Sequence, residues 1–245
     1  MKFTGKNVHI SAKAQLGLNV RIGDNTVIYD HVVIGNDSVI ANDCVIGEPT
    51  SIYYSDQNYI NPKTVIGSGA LIRSHSIIYA GCTIGNGFSS GHRIVIRENT
   101  TIGQNCKVGT GSDLQGFLSI GDHCQLHSNV HLCQFSHLAD FVFIYPNVVL
   151  GNDRHPPSEK VVGPKIGSYT QIGIQSSIIG DINIGEHCVI GANALVLNDF
   201  QDHSLILGTP AKRRSDVREL VDENGKPLYP WSERFGRGMP WKATE

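Results

Sequence analysis

The chain has 245 residues with 20 basic and 22 acidic side chains. That length allows one or two domains, and the near-balance of charge, with no Lys/Arg cluster recurring along a face, argues against nucleic acid as the principal partner. No apolar run approaches the roughly 18 residues that span a bilayer, and MKFTGKNVHI lacks the apolar core of a signal peptide, so a cytoplasmic protein that does not insert into membranes is expected.

From residue 8 to 196 an aliphatic side chain returns at every sixth position. A first register runs Ile10, Leu16, Ile22, Ile28, Ile34, Ile40, Ile46. A second starts at Ile66, lapses at Ser90, and continues from Ile96 to Leu150; a third holds Ile166 to Val196. Two residues before each aliphatic sits a mostly small side chain, such as Ala14, Thr26, Ser38 or Thr100, and a Gly commonly follows it. On a helix of about 3.6 residues per turn a spacing of six advances about 240°, which makes no apolar stripe. Alternation over three positions is strand-like, and the Gly reads as a turn that needs a permissive backbone. Strands this short bury their inner face only by stacking. The period therefore predicts an all-β solenoid, a parallel β-helix of hexapeptide repeats over 1–200, followed by a C-terminal extension over 201–245. Cys44, Cys82, Cys106, Cys124 and Cys188 occupy the small inward position and read as core packing; only Cys133 falls outside it.

Three breaks interrupt the period. GEPTSIYYSDQNYINPK, polar and aromatic, predicts an excursion near 47–62. GNGFSSGHR puts Phe88 in the small slot and Ser90 in the aliphatic slot, which predicts a bulge or distorted corner. GNDRHPPSEKVVGPK predicts a second excursion near 151–165, where Asn152, Asp153, Arg154 and His155 gather beside two prolines. Beyond Val196, SLILG reads as a last strand, Ser215 with DVRELV as a short capped helix, and Tyr229, Trp231, Phe235 and Trp241 mark an aromatic tail that docks on the prism or a neighbouring subunit.

His131 and His137 each precede an aliphatic and so point outward on adjacent faces. Asp113, eighteen residues before His131, belongs one rung away on the same face, about 4.8 Å distant, where a carboxylate fixes the imidazole tautomer. His92, His127, His131 and His137 also admit a metal reading if chains share an ion, although their spacing only approximates the three-histidine zinc pattern of prismatic carbonic anhydrases.

These residues resemble the hexapeptide-repeat acyltransferases, and the resemblance spans nearly the whole chain. It implies a left-handed β-helix acting as a homotrimer. IGEHCVIGANALVLNDFQDHSLILGTPAKRR resembles the ending of acetyl-CoA-dependent members, which implies that Gly173, Gly191, Gly208, Thr209, Pro210, Ala211, Lys212 and Arg213 hold the cosubstrate, with no metal expected. VFIYPNVVLGNDRHPPSE is similar to the catalytic His-Pro segment of sugar O-acetyltransferases and maps that histidine onto His155. It also resembles the Asn-bearing loop of nucleotide-sugar N-acetyltransferases, mapping that Asn onto Asn152. GSGALIRSHSIIYAGCTIG resembles coils of acyltransferases of surface-polysaccharide biosynthesis. GNDRHP is also similar to the Gly-Asp-Arg-His-Pro segment of serine acetyltransferases, whose long N-terminal helical domain is not expected here.

Acyl transfer from a thioester needs a base for the attacking amine or hydroxyl and a donor for the oxyanion. The sequence assigns His155 as base, with Asn152, Asp153 and His131 in the catalytic group and Asp113, Asn129, His137 and Arg154 at the acceptor. The expected reaction moves an acetyl group from acetyl-CoA to the amine of a nucleotide-linked sugar. Sugar O-acetylation and, from another class, a zinc-dependent hydratase or a non-catalytic trimeric scaffold are the alternatives.

Overall fold

A computed structural model describes residues 3–229. Its strands, most of them two residues long, stack into three sheets of ten, nine and eleven members, parallel except for the last strand of the third, that form the first, second and third faces of a left-handed β-helix. Pairing advances eighteen residues per turn, as in His9↔Val27 and Asp113↔His131. The hexad aliphatic of each strand points inward and the residue before it outward. Ile40, Ile78, Leu132 and Ile172 are fully buried, each such side chain stabilising by about 1.5–3 kcal/mol.

The small inward slot accepts polar residues because their polar atoms meet carbonyls of the next turn. The hydroxyls of Thr26, Ser112 and Ser176 donate to the carbonyls of Ala41, His127 and Gly191 at 2.9, 3.0 and 2.8 Å. The five hexad cysteines are likewise buried. Burial pushes the Cys82 thiol up to about 12 and Cys188 up to about 11, so both are inert packing groups rather than thiolates.

The glycine after the aliphatic has another cause than a permissive turn. The left-handed residue of each corner lies two positions later, as at Asn25, Asp37 and Asn105 with φ of 56°, 57° and 55°. Glycine is needed because successive turns touch at its position: a Cβ on Gly103 would stand 2.6 Å from the backbone carbon of Gly121.

Near Ser90 the expected distortion shrinks to one bond. Phe88 and Ser90 are both buried, so the large side chain has moved into the small slot and the small one into the large slot, conserving volume. Ser89–Ser90 keeps its pairing to Lys107 and Val108, while the Arg73 backbone N–H finds the Ser90 hydroxyl at 2.8 Å.

Both long excursions leave the edge between the first and second faces. One exits after Val45–Glu48, makes a 3-10 turn at Ser51–Tyr54 and re-enters at Thr64–Ile66. The other exits after Val149–Leu150 and re-enters at Lys165–Ile166. The coil also runs past residue 200: Phe200 bridges Ile184, and Ser204–Leu207 adds to the third face beside Val189–Ile190. Lys212–Asp216 then folds back antiparallel on Ser204–Leu207. The helix expected after Ser215 is only the 3-10 turn Val217–Glu219, and its cap is Asp216, which accepts the Arg218 N–H, because Ser215 is held in the strand opposite Leu205. Trp231, Phe235 and Trp241 lie outside the described residues. Among the described residues no helix is long and apolar enough to cross a membrane.

Candidate functional site

The first face carries two of the predicted site residues, Asp113 and His131. His131 stands outward there one turn from Asp113, with Nδ1 3.4 Å from the Asp113 carboxylate. Gln115, which the sequence reading passed over, donates its amide to the same carboxylate oxygen at 2.5 Å. Its signal was the two-residue strand spacing that puts 113 and 115 on one side. The other oxygen of Asp113 is buried and has no hydrogen-bond partner. Asn129 sits at a left-handed corner just before His131, while His137 faces outward on the second face, around the edge from His131. Cys133, beside this pair, is half-buried, and burial followed by the Asp113 charge raises its thiol pKa.

The loop after Leu150 forms one wall. Asp153 does not hold the His155 imidazole in a hydrogen bond; its carboxylate accepts the backbone N–H groups of His155 and Ser158, at 2.9 and 2.8 Å, and the Ser158 hydroxyl, at 2.8 Å. Arg154 reaches toward the C-terminal turns and donates to the Leu197 carbonyl at 3.0 Å. Lys160 pairs with Asp181 at 2.6 Å. Between them lies a recess of ≈ 300 Å³ lined by Asn152, His155 and Val162 among others.

The other wall is the edge between the third and first faces. Gly173, Gly191 and Gly208 stack there, joined by Gly173 N–H to Ile190 O, Gly191 N–H to Ile206 O and Leu195 N–H to Gly208 O at 2.7, 2.9 and 3.1 Å. The Thr209 hydroxyl donates to Asn193 O at 2.8 Å and the Ala211 N–H to Leu195 O at 2.8 Å, so Gly208 to Ala211 close the strip. The missing side chain of Gly173 lets the Gly191 backbone of the next turn approach, and the Leu207 side chain lies over Gly191. Lys212 and Arg213 follow, both exposed; Arg213 lies 3.7 Å from Asp216.

Two walls thus flank one face whose outward residues are Asp113, His131, Val149, Ser177 and Leu195 in successive turns. No three His, Cys, Asp or Glu side chains among the described residues gather into a group able to hold a metal: His127 lies at an edge with its Nδ1 accepting the Ser128 N–H, and His131 and His137 point from different faces.

The bacterial transferase hexapeptide repeat family matches residues 13–48 and 163–198. Serine acetyltransferase of Haemophilus influenzae is 32% identical over 72 residues, covering 29% of this chain and 25% of that protein. The chain thus spans about a quarter of the length of that curated relative. Among solved structures, the UDP-N-acetylglucosamine acyltransferase of Campylobacter jejuni aligns over 89% of this chain and 78% of its own at 21% identity and a TM-score of 0.54. The Arabidopsis UDP-N-acetylglucosamine acyltransferase aligns over 88% and 74% at 15% identity and a TM-score of 0.69. Those two likenesses show the left-handed β-helix fold, and the family model matches its six-residue repeats over 13–48 and 163–198.

Proposed function

We propose that this protein transfers an acetyl group from acetyl-CoA to the amine of a sugar substrate, working as a homotrimer with each site at a subunit edge. The observation that carries the reading is the shared face: a glycine-bearing edge ending in a Thr-Pro-Ala turn on one side, a polar loop on the other, and a carboxylate-backed histidine on the face itself, two turns before Ser177. That edge suits a long thioester, and Lys212 and Arg213 suit its phosphates. Serine acetyltransferase and UDP-N-acetylglucosamine acyltransferase, the proteins this chain resembles, carry acyl transfer in their names, which supports the donor chemistry.

The sequence places the base at His155. The geometry favours His131. Asp113 stands beside Nδ1, keeping Nε2 free to take the proton of the attacking amine as it adds to the thioester carbonyl; the proton then serves the departing thiolate. Asn152 and His155 bind the sugar from the loop, with Arg154 and Asn129 at the rim.

Acetyl-CoA with a panel of amino and hydroxyl sugars, free and nucleotide-linked, followed by thiol release, tests the reaction. Turnover with an amino sugar is expected, and Lys212→Glu with Arg213→Glu should raise the KM for acetyl-CoA about tenfold or more. No thiol release with any acceptor, or an unaltered KM, overturns the respective half of the proposal.

A further inference from the structure

The lapse of the repeat at Ser90 shapes a second recess, remote from the loop after Leu150. On the third face the outward residues in successive turns are Leu71, Ser89, Lys107 and Gln125. Ser89 is the short one, so the wall dips there. At the adjoining edge the matching positions are Arg73, Gly91, Gly109 and His127. Two consecutive glycines extend the dip along the edge, and neither position tolerates a side chain: a Cβ on Gly91 would stand 2.7 Å from the Thr110 Cα, and one on Gly109 2.5 Å from the Ser128 N. The resulting hollow is ≈ 340 Å³.

Its rim carries a single sign of charge. Arg73 and Lys107 are exposed cations, His92 and His127 flank them, and no Asp or Glu lines the hollow. In a chain whose formal net charge is −2, that is a local reversal. Gln125 lines the wall, and His127, whose Nδ1 accepts the Ser128 N–H, keeps its proton on Nε2 when neutral. A hollow with donors, cations and no carboxylate selects an anion with several acceptor oxygens. It sits several turns, at about 4.8 Å each, from the Lys212 turn, too far for one phosphate to reach both.

We infer that this hollow is a binding site for a phosphate or diphosphate ester, and that it holds the phosphorylated part of the acceptor. The substrate role rests on the acyl-transfer reading above; anion binding does not. The class of acceptor is thereby narrowed to phosphate-bearing sugars, consistent with a nucleotide carrier.

Titration calorimetry with inorganic pyrophosphate as probe tests it, on the full chain alone and saturated with coenzyme A. Pyrophosphate should bind in both states, and Arg73→Ala/Lys107→Ala, two surface changes, should weaken it by about tenfold or more. Ser89→Leu, which fills the dip without touching charge, should weaken it too. Failure of the wild-type chain to bind, or equal binding by the double variant, removes the site. Loss of pyrophosphate binding once coenzyme A is present assigns the hollow to the donor and overturns the acceptor role. Thiol release without pyrophosphate binding sinks this inference alone, and pyrophosphate binding with no thiol release from any acceptor sinks the acyl-transfer reading while leaving the anion site standing.

Discussion

Two loops leave the same edge of the prism and are built from opposite chemistry. The segment 49–63 is aromatic and welded to the coil: Tyr53 meets Tyr54 and Tyr59 edge-on at 5.2 and 5.9 Å, and buried Asn61 donates to the Gly47 carbonyl at 2.7 Å while accepting from the Tyr59 hydroxyl. The segment 151–164 has no Phe, Tyr or Trp and is held by charge, through Asp153, Lys160–Asp181 and Arg154. An insertion joined by aromatic contacts and anchored through one buried amide adds surface to a scaffold, whereas one held through Asp153, Arg154 and Lys160 leaves a recess of ≈ 300 Å³ beside a face. The difference separates a structural excursion from a chemical one, although both interrupt the repeat in the same place.

The sharpest test of that division asks how much chemistry the polar loop itself carries. His131→Ala should lower kcat/KM by about 10² to 10⁴, mostly in kcat, as loss of a general base does. His155→Ala should raise KM for the acceptor with less effect on kcat. Asp113→Asn should slow the reaction mostly in kcat, whereas a mere packing role would leave the kcat-to-KM split unmoved. A kcat loss at His155 as large as at His131 would return the base to the loop and erase the distinction.

A smaller effect separates the loops by stability. Asn61→Ala leaves the Gly47 carbonyl without its buried donor and should cost about 1–3 kcal/mol in urea unfolding with kcat unchanged. Arg154→Ala removes an exposed bond and should change stability by less than about 0.5 kcal/mol while raising the acceptor KM. Reversed outcomes would make the aromatic loop the functional one.

The prism was legible because a six-residue period leaves one physical solution, and so were Asp113 beside His131 and the inward cysteines, since an eighteen-residue turn carries each outward side chain onto its neighbour. Legibility failed where a role depends on which atom of a residue is engaged. Asp153 next to His155 suggests an oriented imidazole, yet its carboxylate takes backbone N–H groups, as Asp commonly does in loops. The Gly of each hexad suggests a turn, yet its cause is an approach between turns eighteen residues apart. Ser215 suggests a helix cap by its place before DVRELV, and pairing with Leu205 overrode that preference. The hollow at Ser89 was visible only as a lapse, because its depth comes from small residues, Ser89, Gly91 and Gly109, in two successive turns.

Acid should act on the two loops in opposite directions. The Ser158 hydroxyl, followed by the backbone N–H groups of His155 and Ser158, holds the Asp153 carboxyl below its usual range. A folded pKa below the unfolded value of about 3.9 means that this carboxylate steadies its loop at neutral pH, and that the contribution fades as pH falls below about 4, through the lowered value. Glu48, at the root of the aromatic loop, is shifted the other way, because burial outweighs the bond from Tyr54. Its folded form binds the proton more readily, so the aromatic loop is favoured as pH drops through the raised value and loses that advantage as pH rises. Hydrogen-exchange protection, corrected for intrinsic rates, should therefore decline in 153–158 below about pH 4 while holding or rising in 49–61. Asp153→Asn, which cannot titrate, should flatten the first profile at a lower level and leave the second alone. Parallel decline of both segments in the wild-type chain would mean that global unfolding, and not these two carboxyls, governs the acid response.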